Sequence, residues 1–276
     1  MDVQNPKLLL TLLAEAAVCA GTGIWLLPKL VFFLKTHGVT RLNYNGELIP
    51  TGAGMLFGVL ILIYWIVGIR TLSLFTLSLC VITVLGWLDD TVGDRTTKGF
   101  HGHWRKLVKQ GVWTTGMMKA AGTSIVALIL TLGMQHTWVY SVLCWFVIVL
   151  CTNVINLLDL RPGRALKCSF GLWLVLFIFG NIYTPQAAEI WIPTLISAVL
   201  LYREDVQGRL MLGDTGANAF GFALGTAYAF YAPAWLLCVA AVILVSLQWT
   251  AERSSITVWI ERLPLLRWLD RLGRTP

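Results

Sequence analysis

The chain has 276 residues, of which 57% are hydrophobic and only 13% charged, with a mean hydropathy of +0.73. Roughly a quarter of the residues of an ordinary soluble domain are charged, so that class is excluded and the solvent for most side chains is lipid. The net charge of +7 would suit nucleic acid, but no basic run is interleaved with aromatics and the charge is spread over several loops, which argues against a nucleic-acid partner.

A helix crosses the bilayer core with roughly 20 apolar residues, and nine stretches approach that length. In chain order they lie near residues 8–33, 51–68, 71–88, 111–133, 138–157, 168–182, 187–202, 214–230 and 232–251. The expected fold class is all-α, a polytopic membrane helix bundle of about nine spans. The first stretch is too long for a cleaved signal peptide and is expected to remain as a spanning helix. The sixth and seventh are short and are separated by Asn181-Ile182-Tyr183-Thr184-Pro185, so a tilted or partly re-entrant pair is an alternative there. From Glu252 onward, Ile256, Ile260, Leu263, Leu266 and Leu269 recur at helical spacing among five arginines. That pattern predicts an amphipathic helix along the inner leaflet, giving a membrane domain over 1–251 and a basic tail over 252–276.

Nine spans place alternate loops on opposite sides. Most of the 21 Lys and Arg then share one face, in the loops around 35–41, 95–109, 161–167 and 203–209 and in the tail, while Lys7 and Arg70 fall on the other. The positive-inside rule makes the rich face cytoplasmic and the N-terminus external. The six cysteines show no CxxC spacing, so they read as small apolar fillers rather than a disulfide framework or zinc site.

Acidic residues at membrane depth are costly and default to functional candidates. Asp89 and Asp90 end the third span, Asp159 ends the fifth and Asp214 opens the eighth, all at the same membrane face. Carboxylates gathered at one level suit Mg²⁺, which is held by one or two carboxylates together with substrate phosphates. Neighbours on a helix are rotated by about 100°, so Asp89 and Asp90 are expected to take different roles. Asn153, Asn156 and Asp159 recur every three residues and line one helix face toward the mouth. The glycines of Gly213-Asp214-Thr215-Gly216 permit close backbone approach, and Asp214 can both cap a helix and bind a metal. Lys119 lies near the mouth of the fourth span, where snorkelling and pairing with carboxylate or phosphate are both open. His101 and His103, at i and i+2, do not share a helix face and suit phosphate or headgroup contact better than a metal.

With these residues in view, the chain resembles the polyprenyl-phosphate N-acetylhexosamine-1-phosphate transferases, a glycosyltransferase family 4 type superfamily. The resemblance runs from about residue 41 to 225. It is carried by Ile49-Pro50-Thr51-Gly52, Gly86-Trp87-Leu88-Asp89-Asp90, the Gly99-Phe100-His101-Gly102-His103 loop leading to Lys119, Asn153-Val154-Ile155-Asn156-Leu157-Leu158-Asp159 and Gly213-Asp214-Thr215-Gly216-Ala217. What it implies is transfer of a sugar 1-phosphate from a UDP-N-acetylhexosamine to undecaprenyl phosphate, releasing UMP, with Mg²⁺ as cofactor. The implied partners are those two substrates and membrane lipid; monomer and homodimer are both open. The resemblance makes Asp214 the metal ligand and Asp89 the residue that deprotonates or positions the lipid phosphate. It puts Asp90, Asn156 and Lys119 near nucleotide and phosphates; with these, Asp90 and Asp159 are expected beside Asp89 as catalytic groups, and Asn153, His101 and His103 as substrate contacts.

Two features depart from the family pattern. Leu160-Arg161-Pro162-Gly163-Arg164 has a proline where a second aspartate is usual, and Glu252-Arg253-Ser254-Ser255 lacks the late histidine cluster. Arg161, Arg164 or Arg253 is left to hold the donor anion, since a guanidinium fork suits phosphate. A non-catalytic binder of polyprenyl phosphate with the same fold, and a transporter, are the competing readings.

Overall fold

In a computed structural model of the chain, the described residues are 6–68, 73–93, 111, 114–134 and 137–274. Each apolar stretch forms a helix: α1 (Pro6–Thr36), α2 (Met55–Val67), α3 (Leu74–Val92), α4 (Thr115–Leu132), α5 (Trp138–Leu158), α6 (Arg164–Phe179), α7 (Pro185–Val206), α8 (Gly213–Tyr231) and α9 (Ala234–Arg253). Lipid offers no hydrogen bonds, so a helix, which satisfies its own backbone, is the form an apolar segment takes there. Five of these helices, α1, α3, α4, α5 and α9, are long and apolar enough to cross a membrane. At 13 residues α2 is only about 20 Å long. The chain is a multi-pass, helical membrane protein.

Ser73, Thr114 and Thr184 begin α3, α4 and α7, each hydroxyl accepting from the backbone N–H three residues on. Pro185 at the first turn of α7 and Gly180 after α6 punctuate the uncertain sixth and seventh stretches. The sixth is shifted and the seventh is longer than expected: α6 begins at Arg164 and stops at Phe179, and α7 carries Arg203-Glu204-Asp205 in its last turn.

At the centre stands α8, buried from Thr215 to Ala229. It packs chiefly against α5 and α3, with α2, α6 and α7 around it. Small residues allow this: a Cβ on Gly221 would lie 2.7 Å from the Thr152 Cα, and one on Gly225 2.8 Å from the Ile148 Cα. Without a hydrophobic force between helices in lipid, such backbone-close packing supplies association. The outer helices are the reverse. The residues α1 buries are Glu15, Cys19, Gly23 and Leu34, while Leu10, Ile24, Trp25 and Phe32 point outward.

Two elements depart from the expected pattern. Strands β1 (Thr40–Leu42) and β2 (Leu48–Pro50) pair antiparallel, Arg41 opposite Ile49, so among the described residues the fold is all-α except for one hairpin. The side-chain oxygen of Asn43 closes its turn by accepting from the N–H groups of Asn45 and Glu47, each at 2.9 Å. The tail is two short helices, α10 (Ile256–Arg262) and α11 (Pro264–Arg271), rather than one, because Pro264 cannot continue a helix and starts the next.

Candidate functional site

The hairpin strand β2 leads into residues 51–54, which lie against the start of α8. Met211 N–H donates to Pro50 O at 2.8 Å, and Ala53 and Gly54 donate to Met211 O and Leu212 O, both at 3.1 Å. A Cβ on Gly54 would sit 1.9 Å from the Gly216 Cα, so these backbones touch. Gly213 opens α8 at φ +71°, with the Asp90 carboxylate where its Cβ would be. Glycine is required there for both reasons.

The first turn of α8 has no cap from its own Leu212. The Asp90 carboxylate supplies it, and that of Asp159, at the end of α5, lies near the Gly213 N–H. The N–H groups of Asp214 and Thr215 donate to Asp90 Oδ1 and Oδ2 at 3.1 and 2.9 Å, and the Thr215 hydroxyl to Oδ2 at 2.6 Å. Arg41 Nη2 lies 3.3 Å from Asp90 Oδ1 and donates to its carbonyl at 3.4 Å. Negative charge at a helix N-terminus is favoured by the free N–H groups and the helix dipole. Asp90 is 2% exposed and both its oxygens are engaged, so it aligns α3 with α8 and does not face the mouth.

Fixing Asp90 in this way turns Asp89 toward Asp214. Lys119, reaching across from α4, donates to Asp89 Oδ2 at 2.8 Å and to Asp214 Oδ1 at 2.9 Å. Side-chain exposures of 15% for the lysine, 14% for Asp89 and 20% for Asp214 leave this triad open to the mouth. Lys119 therefore pairs rather than snorkels. Asp159 is half-buried, and burial, then the charges of Asp205, Asp214 and Asp90, push its carboxyl well above the ordinary carboxylate range, against the pull of the Gly213 N–H.

Beside Asp159 lies a cleft of about 320 Å³ counting its open mouth, lined by Arg161, Pro162, Asp205, Asn43, Tyr44 and Gly208. Asp205 is 3% exposed and accepts from Gly163 N–H at 3.1 Å. Two expected residues lie apart from it. Asn153 donates to Gln248 on α9 at 2.6 Å, and Arg164 is committed to the tail through Asp270. Arg164 is thus not available to a donor phosphate; the cost of burying a guanidinium is met by a carboxylate. Arg253 is exposed and stacks on Trp249, with 4.0 Å from its guanidinium carbon to the ring centre. Asn156 lies one turn before Asp159 on α5, and Arg161 stays exposed at the cleft. His101 and His103 fall outside the described residues.

Sequence reasoning passed over Arg41, Thr215 and Asp205. Arg41 had only its place in a basic loop to mark it, and Thr215 sat unremarked inside a quoted motif. Among the described residues, no group of three or more His, Cys, Asp or Glu converges as a metal cage. Among the described residues, Asp89 and Asp214 pair with Lys119 and Asp90 with Arg41, while Asp159 has other carboxylates beside it.

A lysine bridging two helix-end carboxylates, beside a helix capped from its neighbour, lies at one end of a multi-pass helical membrane protein. A family model described as glycosyl transferase family 4 matches residues 71–232, and the chain belongs to that family. It is 30% identical over 215 residues to the phospho-N-acetylmuramoyl-pentapeptide-transferase of Chlamydia abortus, a match covering 67% of this chain and 60% of the relative.

Proposed function

We propose that the protein transfers a sugar 1-phosphate from a UDP-N-acetylhexosamine to undecaprenyl phosphate, releasing UMP and initiating a cell-envelope glycan. The reading includes nine spans, an external N-terminus and a site open to the cytoplasm. One observation carries it: Lys119 spans Asp89 and Asp214 at the membrane mouth of a family 4 chain. A phosphate monoester attacking a diphosphate brings two anions together, so compensating charge must be fixed in advance. Lys119 supplies one positive charge, held by two carboxylates rather than by water. Asp89, bonded to Lys119 and beside Asp214 and Thr115, is the group to orient or deprotonate the lipid phosphate. Asp90 and Thr215 hold the start of α8, and with it Asp214, in register with Asp89.

The donor set fits Mg²⁺, since an ion of this kind takes one or two carboxylates and completes its shell with phosphate and water. Asp214 would hold it, with Asp89 adjacent. Bound there, it would neutralise the diphosphate and favour departure of UMP. The displacement is a single in-line step with no covalent intermediate on the enzyme.

The test is UMP release from a panel of UDP-N-acetylhexosamines with Mg²⁺ and undecaprenyl phosphate, lost in Asp214→Asn and Asp89→Asn. Binding of lipid phosphate with no UMP from any donor would replace the transferase by the non-catalytic binder. The commitment of Arg164 to the tail is the observation that keeps that second reading in play. A phosphosugar trapped on Asp89 would sink the single-step mechanism.

A further inference from the structure

The tail is clamped onto the loop between α5 and α6. Asp270 is 6% exposed, and Arg164 grips it with two prongs, Nε to Oδ1 at 2.8 Å and Nη2 to Oδ2 at 3.0 Å. The third nitrogen of Arg164, Nη1, donates to Thr257 at 3.0 Å. Lys167 donates to the carbonyls of Leu269 and Asp270 at 3.1 and 2.7 Å. Arg274 completes the arrangement, donating from Nη2 to Asp270 Oδ1 at 2.8 Å and from Nε to the Pro162 carbonyl at 2.9 Å. A segment held to the surface only by its apolar stripe would leave these groups in water. Here a bidentate pair is buried and its donors are satisfied, the condition under which a buried ion pair is kept.

The clamp ends on a residue that matters to the cleft. Pro162 lines it together with Asp159 and Arg161, and the loop is otherwise tied by Gly163 N–H to Asp205 and by Arg164 N–H to the Arg161 carbonyl. We propose that the tail is a latch for the cleft wall, with Arg274 and Asp270 as positioning residues that act on Asp159 and Arg161 through Pro162. The latch stands on these contacts alone. Its effect on nucleotide binding also rests on the transferase reading.

The experiment uses the full chain in detergent. Arg274→Gln removes the bond to Pro162 but leaves the Arg164–Asp270 pair, so the tail should stay docked. Hydrogen exchange at Gly163 and Arg164, whose amides are bonded to Asp205 and the Arg161 carbonyl, should quicken about tenfold, the scale of one charge-assisted hydrogen bond, while Leu266–Arg271 stay protected. Asp270→Asn should loosen both segments. In calorimetry, UMP should bind about tenfold more weakly to Arg274→Gln, with part of the affinity restored in Arg274→Lys. Unchanged exchange in the 160–164 loop in both variants overturns the latch. Exchange that responds in a wild-type background that binds no UMP supports the latch and counts against the transferase reading.

Discussion

Neighbouring aspartates should give opposite phenotypes when each is changed to asparagine. In Asp90→Asn one oxygen becomes an NH₂ group facing a backbone N–H, either that of Asp214 or that of Thr215, and the ion pair with Arg41 goes. Losing a helix cap costs about 1 kcal/mol, and an unsatisfied buried N–H about 1–3 kcal/mol. The total, about 3 kcal/mol, corresponds to roughly 10 °C in Tm for a chain of this size. Asp89→Asn keeps an oxygen to accept from Lys119, and Lys119 keeps Asp214, so the loss should be smaller, about 1 kcal/mol. Melting of both variants in detergent, followed by tryptophan fluorescence, with UMP release measured below either transition, separates the two roles. Asp90→Asn should melt early and retain measurable turnover, whereas Asp89→Asn should melt near wild type and be inactive. Equal melting temperatures, or a larger loss in Asp89→Asn, would refute the assignment of Asp90 to alignment and Asp89 to the mouth.

Gly54→Ala should not yield a folded protein, because its Cβ would meet the Gly216 Cα at 1.9 Å; Gly21→Ala, with nothing within 4 Å, should express and melt as wild type by size exclusion and melting in detergent. Lys119→Met should lower UMP release by about a hundredfold or more by removing fixed positive charge from the developing anion, with Lys119→Arg keeping part of it; an active methionine variant would remove the lysine from the mechanism. At Asp270 burial opposes the charge, but the Arg164 fork and Arg274 outweigh it and hold the carboxyl below its ordinary 3.8. A depressed folded value means that tail docking is fully stabilised above about pH 4 and is lost as pH falls through the lower folded value. An environment-sensitive fluorophore on Leu272→Cys should therefore give a constant signal from pH 7 to about 4 and change only below that.

Much of the fold could be read from hydropathy alone. Each apolar stretch became a helix because lipid leaves the backbone no other partner, and Pro185 and Gly180 marked the doubtful boundary between α6 and α7. The tail was misread at Leu263-Pro264, where an apolar periodicity masked a residue that ends one helix and begins another. The hairpin escaped because its strands have three residues each, too short for any period to show.

For the site, sequence determined which residues carry charge at membrane depth and that Asp89, Asp90, Lys119, Asp159 and Asp214 share one face, since helix lengths and loop alternation set depth. It also required Asp89 and Asp90 to differ, because adjacent helical side chains diverge by about 100°. Which of the two turns to the mouth was decided only by the tertiary structure, through the free N–H groups of Asp214 and Thr215 that claim Asp90. The same holds for Arg164, a candidate anion ligand by type that lies against Asp270, 106 positions along the chain. A hydrogen-bond partner that distant leaves no local pattern, so depth and charge belong to the sequence, and partnership belongs to the fold.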